Sequence, residues 1–450
     1  MAALACVTNT HYLRLSKQRK RRLSQVVDAS EAARKEAKRS RVKPSKSPLG
    51  LFLLLPCEMQ YMVLEEMDLK SLIALSLTSR QIMSLVENYS VSTIGWKAIL
   101  ANLSSPEDFR QLGILQRLTG SFYSSKKKLK TAKLVLEKLD TTHRTMCEVN
   151  GCPYSYKCFG ELFSVFINGW AECDKKRAFT LVYTIANVKE RLDRVLSSPA
   201  TFLSHEADVR ALLRSLFLEK SSCENDYGFW LTMILKPLPL TYQSQVLYIL
   251  TAPTDSNGFV SWTQECGCST LQHESCTVHF TELSRALMIL YSDRSEWSED
   301  DIISIIDEMT SYPNEWCLEN VARLLKGCGP EICKEMFGNR VINGRLSEAC
   351  IMAYYLAQVC VSSQDETSTH TTCWFIDVLQ HVISLLPAKD KSKFAAMFMN
   401  TWSDYLSALF EDNAEDLDEA DRSDYRHEFN SGITSLTKLS AVLMCMALEA

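Results

Sequence analysis

From residue 159 onward, apolar residues return every three or four positions in one segment after another, and each segment is closed by a short breaker. The segments are Phe159 to Trp170, Lys175 to Leu196, His205 to Leu218, Phe229 to Leu235, Tyr242 to Leu250, Phe280 to Tyr291, Glu299 to Thr310, Glu315 to Leu325, Leu346 to Cys360, Trp374 to Leu386 and Lys391 to Phe410. A period of 3.6 residues buries one stripe of a helix, whereas the two-residue alternation of a half-buried strand is scarce here. The chain is therefore expected to be all-α. Ser298 ahead of Glu299, Asp300 and Asp301 reads as a capped helix start, Pro313 and Asn314 as a stop and restart, and Gly327 with Gly329-Pro330 as an end. Helices paired in series predict a solenoid-like body. Trp297 and Trp316, each followed by a helix, echo one another, but no spacing holds across three units, so the expectation is an irregular stack and not a tetratricopeptide or ankyrin array.

With 450 residues and 46% apolar content there is material for a large core in two or three domains. Seventeen cysteines without a hydrophobic N-terminal signal region predict a reducing compartment, with thiols packing as small apolar groups and no disulfides. No apolar run approaches the roughly 18 residues of a membrane span; the nearest, Ile433 to Leu448, carries Lys438. A soluble protein without membrane contact is expected.

Charge is unevenly distributed. Residues 1–50 hold 13 Lys and Arg against 3 acids, which leaves 36 bases and 51 acids for the remainder. Residues 1–46 cannot offset the entropy of ordering and are expected to be a disordered basic tail. Lys17, Arg19, Lys20, Arg21 and Arg22 form one cluster, and Arg34, Lys35, Lys38, Arg39, Arg41 and Lys43 a second. This arrangement reads as a bipartite nuclear import signal, ahead of an inert solvated tail and of nucleic-acid binding, for which interleaved aromatics are missing. Arg21, Arg22 and Ser24 make a basophilic phosphorylation pattern at Ser24.

The stretch Leu55 to Val86 reads as two or three short amphipathic helices. Pro56 is expected to open the first, with Glu58 favouring its positive end; Met59, Met62, Val63 and Met67 follow at helical steps. After a polar break at Asp68 to Ser71, Leu72, Leu75 and Ile82 resume the pattern. So short a stretch cannot bury a core alone, and its apolar face calls for another surface.

This spacing resembles the F-box, the module that docks substrate receptors on the Skp adaptor of cullin-RING ubiquitin ligases. Leu55, Pro56 and Glu58 sit on its LPxE opening, Val63, Leu64 and Met67 on its ILxxL core, and Leu72, Leu75, Ser76, Ser79 and Arg80 on its second half. Ser71, Thr78 and Ile82 stand where Asp, Val and Trp are usual, which implies weaker binding by that half. The resemblance implies an adaptor-binding set of Leu55, Pro56, Glu58, Met59, Val63, Leu64, Met67, Leu72, Leu75 and Ile82. Tyr227 to Leu250 with Glu296 to Leu325 further resemble one vertebrate member of the family, which implies a helical substrate-receptor body and a role in meiotic germ cells.

The expected organisation is a basic tail (1–46), an F-box module (47–100), a helical linking region (101–158) with further helices at Leu112 to Leu118 and Leu129 to Leu139, a helical body (159–410), an acidic loop (411–428) and a C-terminal helix (429–450). Lys126, Lys127, Lys128, Lys130 and Lys133 read as a solvated helix face. Cys266, Cys268, His273, Cys276 and His279, and separately His143, Cys147, Cys152 and Cys158, have zinc-type ligands at spacings that fit no known finger. Neither group is taken as a metal site, and no cofactor is expected. No Gly-rich phosphate loop, HExxH or GxSxG occurs, so an enzyme reading rests on nothing specific. The expected function is a non-catalytic receptor presenting an unknown protein substrate to a ubiquitin ligase. Its rivals are an adaptor-bound nuclear scaffold of meiotic chromosomes and, further behind, a zinc-dependent nucleic-acid binder.

Overall fold

Pro56, with extended backbone (ψ 146°), turns the chain into the first helix, α1 (Cys57–Glu65), instead of forming its first turn as the sequence suggests. The computed structural model describes residues 51–119, 133–135, 137–138, 153–197, 203–221, 223–255, 258–260, 262, 280–362, 368–411, 430 and 433. These fall into two units, residues 1–66 and residues 67–450. Several sequence expectations lie outside the described residues: the tail with both basic clusters and Ser24, Lys126 to Lys130, His143, Cys147 and Cys152, the group from Cys266 to His279, the acidic loop beyond Glu411, and almost all of 429–450.

Among the described residues of the first unit, a 3-10 turn, Phe52–Leu54, precedes α1. The second unit opens with α2 (Leu69–Ser76) and α3 (Arg80–Val91). The polar break is shorter than expected, because Asp68 accepts the backbone N–H of Ser71 at 2.8 Å and so caps a helix that already includes Lys70 and Ser71. Ser79 does the same for α3 through the N–H of Ile82 at 3.2 Å. Helices α4 (Thr93–Asn102), α5 (Pro106–Thr119) and α6 (Pro153–Ile167) follow, and α5 packs on both α2 and α6.

The segment from Lys175 to Leu196 is two helices, α7 (Glu172–Ile185) and α8 (Val188–Leu196), split by Asn187 in left-handed backbone with φ 49°. Asn tolerates that region better than most residues. Helix α9 (Leu203–Leu213) runs into a π turn, Arg214–Leu218. Gly160 of α6 passes so close to this turn that a Cβ would lie 1.9 Å from the Ser215 carbonyl oxygen.

Beyond it come α10 (Glu224–Leu235), α11 (Leu240–Thr251), α12 (Thr281–Ser292), α13 (Glu299–Thr310), α14 (Leu318–Cys328), α15 (Pro330–Ile342), α16 (Leu346–Ser362), α17 (Ser368–Leu385) and α18 (Ala388–Glu411). Helix α14 begins at Leu318 and not at Glu315. The Gly329-Pro330 pair, read as a stop, also opens α15: Gly329 (φ 82°) ends α14 and Pro330 takes the first helical turn of the next helix.

Packing follows a simple rule. Helices α10, α12, α14, α16 and α18 each pack on the next of that series, and α11, α13, α15 and α17 do likewise. Two rows of helices result, linked by contacts between sequence neighbours, as in a solenoid of helical hairpins. Among the side chains buried in this stack are Trp297 and Trp402, both fully buried, with Ile302, Ile305, Leu324, Phe337 and Phe394. Each such side chain contributes roughly 1.5–3 kcal/mol on burial. The capped start of α13 is present: the Asp301 N–H donates to Ser298 Oγ (3.1 Å) and the Ser298 N–H to Asp301 Oδ2 (3.0 Å). Lys236 Nζ sits 3.2 Å from Asp301 and 4.3 Å from the Trp297 ring centroid, joining α10 to that start.

Cys328, Cys333, Cys350 and Cys360 are buried in the stack, and burial pushes their thiols upward, those of Cys350 and Cys360 to about 12. They stay protonated and pack as apolar groups. Among the described residues there is no strand, only an isolated antiparallel bridge between Thr254 and Val260, and no helix long and apolar enough to cross a membrane.

Candidate adaptor-docking site

The described part of the first unit, residues 51–66, is too short to bury the apolar side chains it carries. On α1, Met59 (50% exposed), Met62 (66%) and Val63 (47%) recur at three and four residues and share one face in solvent. Leu51 (84%) and Leu54 (79%), in and before the 3-10 turn, add to this exposed apolar set. Pro56 and Glu58 are exposed beside them, with Glu58 in the first turn where the helix end is positive, and Leu55 is half-buried. Exposed apolar side chains concentrated on so short a segment mark a binding surface.

The other face of α1 buries Gln60 and Leu64. Leu64, a member of the expected docking set, is fully buried. In the second unit Leu72 and Ile82 are likewise packed inside their own chain, while Met67 and Leu75 are half-buried. Leu72 and Ile82 follow the helical period because they are core, and the period alone does not tell a core face from a docking face. The departure at Ile82 therefore falls in the interior. Thr78 is exposed and donates through Oγ1 to the Leu75 carbonyl at 2.7 Å. The bond from Ser71 holds the exposed Asp68 carboxyl below its ordinary value.

Leu51, Leu54 and Met62 were outside the expected set. Met62 carried a readable signal, since it lies on the same helical step as Met59 and Val63; Leu51 and Leu54 precede the motif and had none. Leu77 (61% exposed) is a further exposed apolar residue in the second unit. Among the described residues no group of His, Cys, Asp and Glu is arranged to hold a metal ion. Cys158 is buried on α6.

Along the chain a Leu-Pro-x-Glu opening is followed by short helices capped by Asp68 and Ser79 and then by a two-row helical stack, the order of an F-box protein with a repeat body, and the F-box domain model matches residues 52–92. The model described as "FBXO47, ARM repeats" matches residues 185–448, and the chain belongs to that family. It is 28% identical over 400 residues to F-box only protein 47 of Homo sapiens, covering 84% of this chain and 85% of the relative. Against F-box only protein 47 of Mus musculus the identity is 28% over 374 residues, covering 79% and 81%. No solved structure matches the chain.

Proposed function

We propose that this chain is the substrate-receptor subunit of a Skp-cullin-F-box ubiquitin ligase. The observation that carries the proposal is the exposed apolar set Leu54, Met59, Met62 and Val63 within the matched F-box. Burying a Leu, Met or Val contributes roughly 1.5–3 kcal/mol. Association costs about 4–15 kcal/mol, so a stable complex needs several of them at once, which this segment supplies. The Skp adaptor is the partner, and a cullin-RING ligase is reached through it. The armadillo-type body holds a protein substrate. Chemistry belongs to the other subunits; this chain would accelerate ubiquitin transfer by holding substrate and ligase in one complex, turning a bimolecular encounter into an internal step. The two basic clusters between Lys17 and Lys43 support a nuclear location, and the resemblance to the vertebrate relatives supports a role in meiotic germ cells.

The test is a pull-down of Skp adaptor and cullin with wild type and with the double substitution Leu55→Ala, Pro56→Ala, which removes an apolar anchor and the residue that turns the chain into α1. Wild type is expected to retain both proteins and the variant to lose them. Wild type that retains neither contradicts the proposal.

A further inference from the structure

Gln60 is a polar side chain on the face of α1 that otherwise buries only Leu64, and it is 7% exposed. An amide is costly in such a place unless its hydrogen bonds are made. Its Nε2 donates to the carbonyl of Phe52 at 3.2 Å and to that of Leu55 at 3.0 Å. Both partners only accept, so chemistry fixes which end of the amide faces them. The carbonyls flank Leu54, which projects into solvent with 79% of its surface exposed. The turn that carries Leu54 has little stability of its own: it spans three residues, with backbone bonds of 3.2 Å from Leu54 N–H to Leu51 and from Leu55 N–H to Phe52.

The structure assigns to Gln60 the role of a positioning residue that holds Leu54-Leu55-Pro56 in its docking conformation before the partner arrives, an assignment that rests on the docking reading above. Leu54 cannot secure that conformation itself, because its side chain is kept in solvent for the partner. Without the two bonds the segment samples other conformations, and apparent affinity falls by the fraction that remains competent. Two neutral hydrogen bonds at roughly 1 kcal/mol each correspond to a loss of about thirtyfold.

The experiment uses the full chain and purified Skp adaptor. Gln60→Leu removes both donors and offers an apolar side chain to a buried site, so the unfolding midpoint is expected to hold. The adaptor dissociation constant should rise about thirtyfold, chiefly through slower association, and the amide protons of Leu54 and Leu55 should exchange faster. Gln60→Glu, with the same shape but acceptors facing acceptors, should lose at least as much. The assignment is overturned if Gln60→Leu binds like wild type, or if exchange at Leu54 and Leu55 is unchanged. Wild type that does not bind overturns the docking reading and this assignment with it, and the wild-type arm tells that failure from the other two.

Discussion

The indole N–H of Trp262 donates to Oε2 of Glu206 at 2.7 Å, across 56 residues of sequence and with both side chains buried. Glu206 lies on α9, and the Trp262 ring also meets Tyr248 of α11 at 4.8 Å and Tyr312 at 5.5 Å. Trp262→Phe keeps an aromatic ring there but takes a donor from a buried carboxylate. Leaving such a group short of a partner costs about 1–3 kcal/mol or more. The variant is expected to unfold at clearly lower denaturant concentration, and an unchanged midpoint would contradict a stabilising role for this bond.

Gly160 makes a second point of the same kind, through backbone alone. A Cβ at this position would sit 1.9 Å from the Ser215 carbonyl oxygen, and backbone cannot step aside as a flexible side chain can. Gly160→Ala should cost at least about 3 kcal/mol by forcing α6 away from the π turn. The check is a denaturant titration, in which near wild-type stability would mean that α6 and the turn are less tightly apposed.

Tyr227 predicts the opposite sign. It is 7% exposed, its hydroxyl has no hydrogen-bond partner, and Arg285 lies 5.4 Å from its ring centroid. Tyr227→Phe keeps the ring under Arg285 and removes a polar atom buried at a cost, so stability should rise by about 1 kcal/mol. Burial, and then the Glu282 carboxylate, push this phenol up to about 12. The neutral form is thus favoured by folding: that contribution is complete below the unfolded value near 10 and is lost as pH rises from 10 towards 12. Wild type should lose stability across that window faster than Tyr227→Phe, as followed by denaturant midpoints at pH 9 and 11.

Much of this architecture is legible in the sequence because caps and apolar period agree, as at Ser298 and Asp301. Three features were hidden for physical reasons. Gly329-Pro330 reads as a stop, yet the same pair that closes α14 also suits the opening of α15. The repeats escape a search for a fixed period because helices of one row begin at residues 224, 281, 318, 346 and 388, at intervals from 28 to 57 residues. Packing rows tolerate such variation, since each helix needs only its neighbours' apolar stripes and not a constant loop length. In the candidate site, the Leu-Pro-x-Glu opening located the module, but which apolar residues point outward depends on what each helix packs against. Leu64, Leu72 and Ile82 are inside, whereas Met59, Met62 and Val63 are out.

The exposed methionines offer a chemical footprint. Peroxide converts exposed Met to its polar sulfoxide, so Met59 and Met62 should oxidise well before the buried Met309 and Met336. Saturation with the Skp adaptor should protect Met59 and Met62 while leaving Met288 and Met399, partly exposed on the body, at their original rates. Mass spectrometry of peptides reads both sets. Equal rates for Met59 and Met62 with and without adaptor would place the contact elsewhere.

The most direct measurement is a calorimetric titration of purified Skp adaptor into the full chain, comparing wild type with Met62→Glu, Val63→Glu on the docking face and with Ile342→Glu on the body, where the side chain is 75% exposed. Loss of two buried apolar contacts at roughly 1.5–3 kcal/mol each predicts at least about a hundredfold weaker binding for the double variant, with the Ile342 variant indistinguishable from wild type. Wild type that gives no binding heat at any temperature tested, or a double variant that binds as tightly as wild type, would contradict docking through this face.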